Sequence, residues 1–206
     1  MIAAIILAAG RSARMGQPKP LLPFGAGPRQ TFIQQLVETA QTAGFSDVYV
    51  VGRPADDLLR AEVVRCGGVF VENPHADEGQ LSSLQAGLRH LEAQFALELD
   101  GILVLPVDAP LIGSEAVARL VEVAGSSSAQ ILRATHAGRH GHPVLFKRPV
   151  FAELHGADPQ VGARAVVRAD PRRVENVEVG DPGVTIDIDT PDDYRRHFGV
   201  SPPDKR

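Results

Sequence analysis

The densest concentration of reactive residue types lies near the start of the chain, in Leu7-Ala8-Ala9-Gly10-Arg11-Ser12-Ala13-Arg14-Met15-Gly16-Gln17-Pro18-Lys19. Small residues at 8 to 10 let a nucleotide approach the main chain, where exposed amides can face phosphate oxygens. Arg14 and Lys19 would bring positive charge to a triphosphate. Two familiar phosphate motifs fail on spacing. A dinucleotide fingerprint needs G-x-G-x-x-G, whereas the glycines here are Gly10 and Gly16, and a P-loop needs lysine directly after its last glycine, where this chain has Gln17. The plainer reading is a Gly/Arg-rich surface loop.

A second set of residues is acidic. Asp108 follows the apolar run Gly-Ile-Leu-Val-Leu-Pro and is bracketed by Pro106 and Pro110. A carboxylate at the end of a buried strand needs a partner, and Mg²⁺ suits one or two carboxylates together with phosphate oxygens and water. The competing reading is a loop-forming Asp ahead of a helix. Asp187 and Asp189 alternate on an expected strand, so both would project to one face and repel unless a cation or proton intervenes. Asp189 could instead cap the helix expected to begin at Pro191. Ser82 and Ser83 fall in the first turn of an expected helix, where serine commonly caps, and Asn73 and Gly79 shape the loop before it. His140 and His142 match no zinc spacing; the other five histidines, like Arg29 and Lys147, read as surface groups. The single cysteine, Cys66, reads as a half-buried residue at a helix end.

The elements that would position these residues alternate. Strands are expected at 2–8, 47–52, 69–71 and 101–106, with helices at 31–43, 55–65, from about 81, and from a Ser114 cap to 124. That rhythm gives a mostly parallel sheet covered on both faces, with its ligands at the carboxyl ends of the strands. After residue 129 the short apolar runs 130–135, 143–146, 173–179 and 184–188 predict an antiparallel or mixed extension. One domain over residues 1–200 and a frayed tail over 201–206 are expected. A net charge of −4 and a pI near 6.0 argue against a nucleic-acid partner. No apolar run reaches membrane-spanning length, so the expected location is cytoplasmic.

The same residues carry a resemblance. L-A-A-G-x-S-x-R-M-G-x-x-K resembles the signature of the MobA-like nucleotidyltransferases, in particular the molybdenum cofactor cytidylyltransferases. Further blocks agree in order: Asn73-Pro74 with Gly79, Ser82, Ser83, Leu84, Gly87 and Leu88; Pro106 to Leu111; Gly138 to Phe146; Gly162-Ala163-Arg164; and Asp187 to Pro191. The resemblance implies a three-layer α/β/α sandwich of the nucleotide-diphosphosugar transferase type with a Rossmann-like sheet. It implies transfer of CMP from CTP to a phosphorylated acceptor, molybdopterin cofactor first, with release of pyrophosphate.

It also implies roles for particular residues. Leu7, Ala8, Ala9, Gly10, Arg14, Lys19, Asn73, Gly79, Ser82 and Ser83 would hold the nucleotide. Lys19, Arg14 and Asp108 would act in catalysis, Asp108 with Asp189 or Asp187 would hold Mg²⁺, and His142 would shape the acceptor site. Guanylyl-transferring relatives typically carry glycine where this chain has Ala9, whose methyl would leave less room for a purine. Many cofactor cytidylyltransferases carry Asp-Gln-Pro where this chain has Asp108-Ala109-Pro110. A sugar- or alcohol-phosphate acceptor is the alternative within the enzyme class. Outside it stands a non-catalytic accessory protein that binds nucleotide or cofactor for a molybdenum hydroxylase, which in either case is the expected client.

Overall fold

The computed structural model describes residues 1–26 and 30–203; Arg29 and the last three residues of the expected tail lie outside them. Seven strands form one sheet: β1 (Ile2–Leu7), β2 (Val48–Gly52), β3 (Val69–Glu72), β4 (Gly101–Pro106), β5 (Ile131–His136), β6 (Arg139–Lys147) and β7 (Val174–Glu178). Their order is β3-β2-β1-β4-β6-β5-β7. The first four are mutually parallel, β6 runs antiparallel to both β4 and β5, and β7 is parallel to β5. The expected mixed extension is therefore a hairpin strand inserted into an otherwise parallel sheet.

Among the described residues seven helices cover the sheet: α1 (Phe32–Thr42), α2 (Asp57–Arg65), α3 (Gln80–Phe95), α4 (Ser114–Ser126), α5 (Phe151–Gly156), α6 (Arg164–Ala169) and α7 (Pro191–Phe198). The period of a strand makes the layers. Ala4 and Ile6 of β1 face α1, α2, α4 and α7, whereas Ala3, Ile5 and Leu7 face α3, α5 and α6. Burial on both faces explains why β1 and β4 read as unbroken apolar runs. Among the described residues, no helix is long and apolar enough to cross a membrane.

Two expectations about elements change, and three about single residues. The run 184–188 is not a strand. Pro182–Thr185 is a single 3-10 turn capped by Asp181, whose side chain accepts from the Gly183 amide at 2.8 Å. Gly183 packs so closely there that a Cβ would lie 2.1 Å from the Leu111 carbonyl oxygen. The V-T-I-D-I alternation imitates a strand, but the proline and the cap impose a turn first. The cap of α4 is Gly113, not Ser114, because the Asp181 carboxylate also takes the Gly113 amide at 2.8 Å. Lys147 is half-buried and donates to the Ser127 carbonyl at 2.6 Å, so it is a structural tie rather than a free surface charge. Likewise His155 and His136 are half-buried beside Glu92 and Glu178. Cys66 sits at the end of α2 as expected, and burial pushes its thiol pKa up.

Candidate active site

The parallel register brings the carboxyl ends of β1 to β4 to one edge. Leu7 pairs with Val51 on one side and Pro106 on the other, and Gly52 pairs with Glu72. The segments just beyond each strand therefore line up across that edge: Ala8–Lys19 after β1, Arg53 after β2, Asn73 after β3 and Val107-Asp108 after β4. A cavity of about 460 Å³ lies there, walled by the signature loop, Arg53, Asp77, Gly79, Gln80, Ser83, Asp108 and Asp189.

Ser12 organises the loop. Its carbonyl accepts from the Met15 and Gly16 amides, and its hydroxyl accepts from the Lys19 amide at 3.1 Å. Met15 is buried and pins the loop to the core. Lys19 opens a short 3-10 turn (Lys19–Leu21) between two prolines, which fixes where its side chain starts. The ammonium donates to Asp189 Oδ1 at 2.6 Å and reaches Asp108 Oδ2 at 3.4 Å. Arg14 Nη2 is 3.0 Å from the same Asp189 oxygen.

Asp187 and Asp189 flank Ile188, which is fully buried and whose amide donates to the Asp108 carbonyl. One core side chain thus holds the two acidic segments together without a strand. The helix cap belongs to Thr190, which forms a reciprocal capping box with Asp193, so the Asp189 carboxylate is free for the cleft. The Asp187 pKa is raised, first by desolvation and then by the charges of Asp108 and Asp189; Lys19 and Arg164 pull the other way. Asp187 is nevertheless exposed, and it lines neither this cavity nor the one adjoining it. Hard carboxylate oxygens crowded in this way suit a divalent cation. Among the described residues no three His, Cys, Asp or Glu side chains form a complete metal cage, so phosphate and water would complete the shell.

The other expected nucleotide residues divide. Leu7, Ala9, Gly10, Gly79 and Ser83 line the cavity; Ala8, Asn73 and Ser82 do not. Asn73 is fully buried behind the wall. Its Nδ2 donates to the Ser82 and Ser83 hydroxyls at 2.9 and 3.0 Å, and its Oδ1 accepts from the His75 amide. Ser82 in turn donates to the Gly79 and His75 carbonyls. Gly79 has φ +116°, and a Cβ there would meet the Pro159 carbonyl at 2.8 Å.

Sequence reasoning missed an arginine bridge on the opposite wall. Arg53 donates to the Ala9 carbonyl and to Asp77, and Arg11 holds Asp77 through two hydrogen bonds of 2.8 and 2.9 Å. These guanidiniums hold the Asp77 pKa well below the usual carboxylate range. The position of Arg53, directly after a parallel strand, was the available signal.

A second cavity of about 390 Å³ adjoins the first, with Leu7, Asp77, Gly79 and Gln80 lining both. Leu81, Leu84, Val104, Val144, Phe146 and Val167 form its apolar walls, and Glu78, His142, Gln160 and Arg164 add polar groups to the shared Asp77 and Gln80. Burial lowers the His142 pKa, partly opposed by Asp108, and its Nδ1 has no hydrogen-bond partner. The imidazole is therefore neutral at pH 7.

The MobA-like NTP transferase domain model matches residues 4–176. The chain belongs to the MobA-like NTP transferase family. It is thus a nucleotidyltransferase. It is 29% identical to the purine catabolism protein PucB of Bacillus subtilis over 202 residues, 92% of each chain. It is 25% identical to the molybdenum cofactor cytidylyltransferase of Escherichia coli K12, again over 92% of each. A molybdenum cofactor guanylyltransferase of Xanthomonas euvesicatoria is 30% identical over 57% of this chain and 52% of its own length. Among solved structures, Rv0371c of Mycobacterium tuberculosis superposes with a TM-score of 0.77 at 30% identity, covering 97% of both chains. The same protein has also been solved as a complex with manganese, which matches at TM-score 0.74 and 28% identity over 97% of this chain and 98% of its own.

Proposed function

We propose that this nucleotidyltransferase moves CMP from CTP to the phosphate of molybdopterin cofactor and releases pyrophosphate. The observation that carries the reading is the pair of adjoining cavities: one holding Arg14, Lys19, Asp108 and Asp189, the other an aliphatic and aromatic wall with His142 and Arg164, meeting at Leu7 and Gly79. The first suits a triphosphate. The second offers Leu81, Leu84, Val104, Val144 and Phe146 to the faces of a ring system, with His142 and Arg164 beside them for its phosphate. In the reaction, an acceptor phosphate oxygen bonds to the α-phosphorus. The bond from that phosphorus to the α–β bridging oxygen breaks, and pyrophosphate leaves with the electron pair.

The chain's own groups mainly position and neutralise. Lys19 and Arg14 take up phosphate charge, Ser12 fixes Lys19, and neutral His142 with Arg164 orients the acceptor. A Mg²⁺ ion held by Asp108 and Asp189 would neutralise charge on the α-phosphate and acceptor oxygens. No general base is required, because an acceptor phosphate is already ionised near neutral pH. Ala9, buried in the cavity wall, supports the preference for a pyrimidine. Ala109 is fully buried and lines neither cavity, so this position does not read the acceptor. A molybdenum hydroxylase would receive the product.

The test is pyrophosphate release from each of four nucleoside triphosphates with molybdopterin and with a sugar-phosphate panel. Turnover with sugar phosphates alone would move the assignment to the alternative acceptor class. Tight CTP binding with no turnover on any acceptor would favour a non-catalytic accessory protein.

A further inference from the structure

The Asp108–Asp189 pair is not an open cation site. Lys19, whose side chain is only 9% exposed in an otherwise open cleft, places its ammonium between the two carboxylates. Arg14 adds a second positive group to the Asp189 oxygen that Lys19 already holds. The backbone of Lys19 is fixed by the Ser12 hydroxyl and by Pro18 and Pro20, whereas its ammonium is held, among the described residues, by these two carboxylates. The same ammonium is the group proposed to meet the triphosphate, and two of its three N–H donors are directed at the carboxylates.

We propose that Lys19 is the resident counter-cation of the metal carboxylates, so that divalent-ion uptake is coupled to nucleotide binding. In the free protein an incoming ion meets a positive charge already seated on its two ligands. A bound triphosphate offers Lys19 and Arg14 a stronger anion, draws them from the carboxylates, and leaves Asp108 and Asp189 for the ion. Coupling of this kind is reciprocal: the ion raises triphosphate affinity by the same factor. The practical consequence is that the ion and the nucleotide bind as one unit and the free protein stays largely metal-free. The inference rests on the proposed roles of Asp108, Asp189 and Lys19.

Mn²⁺ titration of the intact protein, followed by electron paramagnetic resonance without nucleotide, separates the possibilities. Lys19→Met should bind Mn²⁺ about tenfold more tightly than wild type, within the usual span of such couplings. Lys19→Arg, which keeps the charge, should stay close to wild type. Adding a non-hydrolysable CTP analogue should tighten Mn²⁺ binding to wild type but far less to Lys19→Met. Equal or weaker Mn²⁺ binding by Lys19→Met, with binding still abolished by Asp108→Asn, overturns the coupling alone. Binding that survives both Asp108→Asn and Asp189→Asn overturns the metal assignment itself, and the coupling with it.

Discussion

At the scale of single residues the proposed chemistry rests on Lys19 and the carboxylates it joins. Asp108→Asn should reduce turnover by about 100-fold or more, the usual cost of losing a group that stabilises transition-state charge. The fold should persist, because Lys19 keeps its shorter contact with Asp189 and the Asp108 backbone carbonyl still receives the Ile188 amide. Steady-state kinetics beside thermal unfolding checks both halves; wild-type activity would remove Asp108 from the mechanism. Asp187 makes a prediction of opposite sign for stability. Its pKa is raised in the folded state, so ionising it works against folding. Below the ordinary Asp pKa both states are protonated and there is no penalty. The penalty grows as pH rises from that value and is complete above the raised folded pKa. Asp187→Asn should therefore raise Tm at pH 7, with the gain shrinking towards zero as pH falls below the ordinary Asp range. A gain that grew on acidification would contradict the assignment of cause.

Asn73 shows what the elements contribute. It sits behind the cleft and ties the end of β3 to the first turn of α3 through two serine hydroxyls. Asn73→Ala would leave buried hydroxyls and an amide short of partners, costing about 2–3 kcal/mol in urea unfolding. Ser83→Ala, which removes only one acceptor, should cost less. Asp77, on the next turn of chain, bridges that loop to Arg11 and Arg53. Its pKa is depressed, so its contribution is present above the ordinary Asp pKa and is lost as pH falls through the folded value. Asp77→Asn should therefore lower Tm at pH 7 but not at strongly acid pH. The sequence made the site's strand-end residues legible, Asp108 after β4 and Lys19 after β1, because buried parallel strands announce themselves as apolar runs. It hid what depends on contacts distant in the chain. Ser12 matters through its bond to the Lys19 amide, Arg53 through the Ala9 carbonyl, and the approach of residues 187–189 to Asp108 follows from Ile188 seated in the core, not from a strand.

At the scale of the whole molecule, the sheet explains why two cavities share one wall. The parallel strands β1 to β4 deliver the groups proposed to bind the triphosphate to one edge, and the reversed strand β6, paired to β4, brings His142 and Phe146 alongside them. In the proposed reading a donor and an acceptor lie on either side of Leu7, and the transfer of CMP between them is the claim on which the rest depends. The direct measurement is kcat/KM for pyrophosphate release with molybdopterin as acceptor, CTP against GTP, in the wild-type protein and in Ala9→Gly. The account predicts turnover with CTP, a preference over GTP of at least about tenfold, and a preference narrowed but not inverted in Ala9→Gly, since a single methyl in a pocket is worth only about 1–3 kcal/mol. A wild-type preference for GTP, or no pyrophosphate from CTP with this acceptor, would contradict it.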